Sequence, residues 1–190
     1  MSDERKAEVA QPIFDSTVEL FMRYMDQYLD LRPKAMQEVQ LRTHLGVEIL
    51  ERLGQLDFIV RRVRQIGPQY LGDGTTRDLE LEVRTLTEMF YYIAARIQTV
   101  LSNKHLPELH TFSCPSVTLV RNKLIEHPEK GDSGVVMQSF GWGEELGPVI
   151  KAGRRPDQTD RFPDRGLFIN AEDFRVRLEA VLTRALKASK

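Results

Sequence analysis

The stretch 79–101, LELEVRTLTEMFYYIAARIQTVL, decides the fold. Its apolar residues Leu79, Val83, Leu86, Met89, Phe90, Ile93, Ile97, Val100 and Leu101 recur at three- and four-residue steps. An α-helix of about 3.6 residues per turn gathers such positions on one stripe, so the pattern predicts a helix reaching about Ser102. A Gly72-Asp73-Gly74 turn precedes it, and the hydroxyl of Thr75 or Thr76 can accept a bond from one of its first free N–H groups. The run Phe90-Tyr91-Tyr92 could pass for a base-stacking platform. At helical spacing, however, large rings serve as core or interface residues because they bury so much area.

Upstream the same period appears twice more. Ile13, Phe14, Val18, Phe21, Met22, Met25, Tyr28 and Leu29 predict a first helix from Pro12 or Ile13 to about Arg32. Pro33 suits the first turn of a second helix, where its missing N–H costs no bond. That helix carries Met36, Val39, Leu41, Leu45, Ile49, Leu50, Leu53, Leu56, Ile59, Val60, Val63 and Ile66, and Gly67-Pro68 is expected to stop it. Gly46 and Gly54 inside it each cost about 1 kcal/mol relative to alanine, which points to a bend or a close helix crossing. Arg61, Arg62 and Arg64 near its end complement the negative pole of the helix dipole. Residues 1–12 are polar and read as a flexible tail.

Composition sets the outer bounds. The 190 residues suffice for one domain, here 13–188, and no apolar run approaches the roughly 18 residues of a membrane span. The polar N-terminus lacks the apolar core of a secretory signal, so a cytoplasmic location is expected. Cys114 is the single cysteine, which rules out an intramolecular disulfide and a cysteine-based zinc site within one chain. Formal net charge is −1, so no whole-molecule field attracts nucleic acid and any RNA contact must be local. Near neutrality, self-association meets little repulsion.

Downstream, the loop 103–113 holds His105, Glu108 and His110, but these lack the i, i+4 helical spacing of a metal-binding pair, and neither metal nor cofactor is expected. Ser113 or Cys114 can cap a short fourth helix with Pro115 in its first turn. On it lies Arg121-Asn122-Lys123-Leu124-Ile125-Glu126-His127, closed by Pro128, which pushes the residue before it out of helical geometry. Arg121 and His127 project about 120° apart on adjoining turns and can border one groove. The guanidinium offers a fork of donors to phosphate oxygens, and the imidazole exchanges protons near neutral pH. The free carbonyls of the helix end should raise the proton affinity of His127.

Residues 129–169 are a loop-rich insertion dense in glycine and proline, with short extended pieces at 135–137 and 167–169 expected to pair or to pack over the bundle. Trp142 could stack a base and Lys151, Arg154, Arg155, Arg161 and Arg165 could follow a backbone, but Asp157, Asp160 and Asp164 interrupt them and favour a solvated loop. Asn170 caps a final helix through Phe174, Leu178, Val181, Leu182 and Leu186. The fold class is therefore all-α, an antiparallel bundle of four to five helices.

The stretch at Arg121, Asn122 and His127 resembles the motif of the HEPN superfamily: an arginine, a polar residue, several intervening positions and a histidine on the last main helix of a bundle. The resemblance covers about 13–128 and 170–188. It implies a homodimer in which two motifs face one composite site, with Arg121 and Asn122 contacting phosphate and His127 active in metal-independent RNA cleavage. Glu126 could orient an imidazole across the dimer or be a solvated charge. The resemblance also implies a toxin or defence setting and an antitoxin-like protein partner. The alternatives are a non-catalytic module that binds a nucleotide or a protein, and a purely structural bundle.

Overall fold

The structure is a computed structural model, and it describes residues 13–30, 36–70, 76–106, 108–119, 121, 135–143, 147–154 and 167–188. The helices among them are α1 (Asp15–Asp30), α2 (Met36–Tyr70), α3 (Arg77–Leu101), α4 (Pro115–Leu119) and α5 (Ala171–Ala188). They form an all-α bundle around one apolar core. At about 1.5 Å per residue, the 35-residue α2 is roughly 50 Å long and serves as the spine.

The core follows the predicted stripes. Ile49, Leu53, Leu56 and Val60 of α2 meet Phe90, Ile97 and Leu101 of α3, all at or near zero exposure. Arg62 bridges to Glu82 at 2.7 Å and Arg96 to Glu48 at 2.8 Å, so α2 and α3 run antiparallel. On the other side α1 packs against α5. Phe174 of α5 sits between Phe14, at 6.5 Å between ring centroids, and Phe112, edge-on at 5.6 Å. Tyr91 is buried, and burial pushes its phenol pKa well up, whereas its neighbour Tyr92 faces out.

Several helix ends differ from expectation. The chain at Ile13 and Phe14 is a turn, and α1 begins at Asp15 and is described to Asp30. Helix α2 does not stop at Gly67-Pro68 but runs to Tyr70. A proline there removes the bond its own N–H would donate and crowds the carbonyl four residues back, but with two helical residues beyond it little of the helix is left to disrupt. The capping expectation holds at α3, where Thr76 Oγ1 accepts the Leu79 N–H at 3.3 Å. Met22, Met36, Leu41 and Met89, counted into the apolar stripes, are exposed, because they lie on the outer flanks of those stripes. Gly46 does mark a close crossing: a Cβ there would meet the end of Met25 of α1.

The insertion holds a small antiparallel sheet of β1 (Val135–Gly143), β2 (Gly147–Arg154) and β3 (Leu167–Asn170), in that order. The two expected extended pieces do pair, but through β2, with Val135 opposite Arg154 and Val149 opposite Asn170. Strand β2 forms where the breaker signals Gly147-Pro148 and Gly153 predict loop, because it pairs on both sides. β3 leads directly into α5 at Ala171.

Candidate functional site

The short helix α4 is held by one side chain of α3. Gln98 Oε1 accepts the Cys114 N–H at 2.7 Å, and Gln98 Nε2 donates to Thr118 Oγ1 at 2.8 Å. Pro115 opens the helix as predicted, with the Cys114 carbonyl accepting the Thr118 N–H at 3.1 Å. Val117 is buried, and Cys114, fully buried, lies 3.8 Å from Asp173 Oδ2 of α5. Asp173 Oδ1 in turn accepts from Arg177 Nε at 2.8 Å.

Just past α4, Arg121 lies in a wide, π-type helical turn with its side chain half-buried. Such turns are uncommon and recur at functional sites. Of the predicted site, Arg121 is the residue whose position is described. Asn122, Glu126 and His127 lie outside the described residues.

The His105 carbonyl accepts the Tyr28 hydroxyl at 3.0 Å, and its N–H donates to Asn103 Oδ1 at 3.0 Å, while His110 is exposed. Glu108 adopts a left-handed φ of 69° in this loop. Among the described residues, no group of three or more His, Cys, Asp or Glu could hold a metal ion. Nor is any described helix long and apolar enough to cross a membrane.

Nearby, Tyr24 and Tyr28 stack at 5.5 Å, and the Arg42 guanidinium sits 4.2 Å over the Tyr28 ring. Burial raises both phenol pKa values, and the Tyr28 phenol adds to the effect at Tyr24. Both phenols therefore stay protonated near neutral pH and serve as packing and hydrogen-bonding groups. Trp142, Lys151 and Arg154 fall in the sheet strands, and Arg155, Arg161 and Arg165 lie outside the described residues.

Sequence reading missed a second feature, an open groove of about 800 Å³ between α2 and α3. Gly54, with no atom within 4 Å of where its Cβ would be, forms an opening in its wall. Phe58, Met89 and Tyr92 line it and are about half exposed or more, although each is large and apolar. The available signal was that Phe58 and Tyr92 are large apolar residues that fall off the core stripes of α2 and α3.

No protein-family model matches the chain, and no curated protein and no solved structure does.

Proposed function

We propose that the protein is a HEPN-like, metal-independent ribonuclease whose active site is composed from two copies, with Arg121, Asn122 and His127 of each facing one groove. The observation that carries the reading is the motif itself, which begins at Arg121 directly behind three long bundle helices and the anchored α4. The chemistry requires a base to take the ribose 2′-hydroxyl proton as that oxygen attacks phosphorus, and an acid to protonate the departing 5′-oxygen. One motif supplies one imidazole, so His127 of one copy acts as base and His127 of the second as acid. Arg121 stabilises the charge growing on the phosphorane, with Asn122 beside it on a phosphate oxygen. A toxin or defence role with an antitoxin-like protein partner follows from the same reading.

The test is RNA cleavage by the purified full chain with chelator present, comparing the parent with His127→Ala and Arg121→Ala after each variant is shown to fold. Cleavage by the parent that is lost in both variants is expected. Unchanged cleavage in His127→Ala overturns the assignment. Absence of cleavage by the parent on varied RNA favours the second reading, a non-catalytic nucleotide- or protein-binding module, whose protein-binding form the apolar α2–α3 groove supports.

A further inference from the structure

The face that α2 and α3 turn away from the core has a symmetry of its own. One constant offset along the chain carries Val47 to Leu81, Glu48 to Glu82, Phe58 to Tyr92, Ile59 to Ile93 and Arg62 to Arg96. Because the helices are antiparallel, that offset amounts to a half-turn about an axis normal to the face, passing between Gln55 and Met89. The interhelical ion pairs obey it. Arg62 of α2 meets Glu82 of α3 at one end, and Arg96 of α3 meets Glu48 of α2 at the other. Exposure obeys it too: Val47 and Leu81 are 47% and 50% exposed, Phe58 and Tyr92 61% and 56%.

Charge, shape and area together select an occupant. The stretches 47–62 and 81–96 carry equal numbers of acidic and basic side chains, and the ends of the face are closed by its own Arg–Glu bridges. Such a face has no net field to draw RNA or a strongly charged peptide, but it is complementary to a face that is equally neutral. Two antiparallel helices with an apolar seam are half of a four-helix bundle, and a closed pair of identical chains buries the same patch on both. From Val47 to Arg62 the face runs roughly 25 Å, and two helices side by side span about 20 Å. That flat footprint of about 450–500 Å² is a little over half of the ~800 Å² per partner that a specific interface buries, and the relief of the exposed Phe58, Met89 and Tyr92 side chains adds to it.

We propose that this face pairs with the same face of a second copy, so that two α2–α3 hairpins close a four-helix bundle with Phe58 and Tyr92 buried across the seam. The proposal shares with the ribonuclease reading only that two copies pair, and it adds the face by which they do so.

The experiment is light scattering and sedimentation of the full chain at micromolar concentration and above, without RNA. The variants are Phe58→Glu and Tyr92→Glu, with Val176→Glu, an exposed site on α5, as control. The parent and the control are expected to be pairs. Each groove variant, with unchanged helical circular dichroism, is expected to dissociate at least about tenfold more readily, since a buried unpaired charge at the seam is costly. A parent that stays monomeric overturns the proposal, as do folded groove variants that pair like the parent. Pairing through this face without RNA cleavage supports it while counting against the nuclease, and a His127→Ala variant that pairs but does not cut leaves it standing.

Discussion

Gly46 of α2 lies so close to Met25 of α1 that a Cβ added to it would stand 2.7 Å from the Met25 Cε. The two helices cross there, and the missing side chain allows the crossing. The obstructing atom is the end of a flexible chain, which can swing aside at small cost. Gly46→Ala should therefore leave stability within about 1 kcal/mol of the parent, the helix-propensity gain offsetting the displaced methionine. Gly46→Val offers no such relief and should cost about 1–3 kcal/mol through overpacking. Gly54 gives the contrast, since its Cβ would enter open space, and Gly54→Ala should stabilise by about 0.5–1 kcal/mol. Urea unfolding at one fixed protein concentration separates the three, and equal destabilisation by both alanines would contradict the crossing.

Glu179 of α5 gives the fold a dependence on acid. Its Oε1 accepts Ser16 Oγ at 2.6 Å and Thr17 Oγ1 at 2.7 Å, joining the two helices that pack on one side of the bundle. Burial alone would raise its pKa, but those hydrogen bonds and the Arg175 charge outweigh it, and the net shift is downward from the ordinary 4.5. A carboxyl whose folded pKa lies below its unfolded value binds fewer protons when folded. Its contribution is whole above about pH 4.5 and is lost as pH falls through the lower, folded value. Glu179→Gln should cost about 1–3 kcal/mol at neutral pH, with the difference from the parent shrinking below pH 4.5. Thermal unfolding from pH 7 to pH 3 reads this directly, and a gap constant with pH would refute it.

Asp57 makes a corresponding tie at the head of α1. Buried on α2, it accepts the Ile13 N–H on Oδ1 at 2.8 Å, so a chain group just ahead of the helix finds its partner on another element. Its Oδ2 lies 2.9 Å from Arg61 Nε, a close ion pair without the alignment of a hydrogen bond. A negative charge near the helix N-terminus also favours the α1 dipole. Asp57→Ala should cost about 1–3 kcal/mol by leaving the Ile13 N–H without its acceptor, and Asp57→Asn, which keeps an acceptor, should cost less. Hydrogen exchange at Ile13 should rise in the alanine variant and far less in the asparagine one, and equal exchange in both would count against the role.

The bundle was legible because burial imposes a period. Ile49, Leu53, Leu56 and Val60 follow that period for the same reason that they sit at zero exposure. Local chemistry was legible where one residue decides it, as at Thr76 and Pro115. Legibility failed where a local signal competes with its surroundings: Pro68 remains within a last helical turn, and β2 forms despite its glycines because strands on both sides pair with it. Met89 shows the limit of a stripe, since the period cannot say where the stripe's edge meets water. The motif was visible from residue types alone, yet how the short helix α4 ahead of it is held depends on Gln98, which is distant in sequence and carries no motif signal. The groove depended on knowing which faces α2 and α3 share, although the constant offset from Phe58 to Tyr92 was present in the chain throughout.

Gln98 is accordingly the residue through which α4 can be loosened without touching the motif. Its amide uses both ends, accepting from the Cys114 N–H and donating to the Thr118 hydroxyl, so a single α3 side chain ties the residue just ahead of a five-residue helix and the fourth residue within it. A helix that short does not persist in water by itself, because nucleation outweighs what so few bonds return. Gln98→Leu removes both bonds and strands a backbone donor, at a cost of about 1–3 kcal/mol. Gln98→Glu retains the acceptor and loses the donor, so it should fall between the parent and the leucine variant. Amide exchange across 115–119 should accelerate in that order, while exchange in the middle of α2 stays protected. Where RNA is cut, Gln98→Leu should slow cleavage by displacing Arg121 while leaving the pair of copies intact. Unchanged exchange at α4 in a folded Gln98→Leu protein would show that the helix is held by Val117 and Cys114 packing alone.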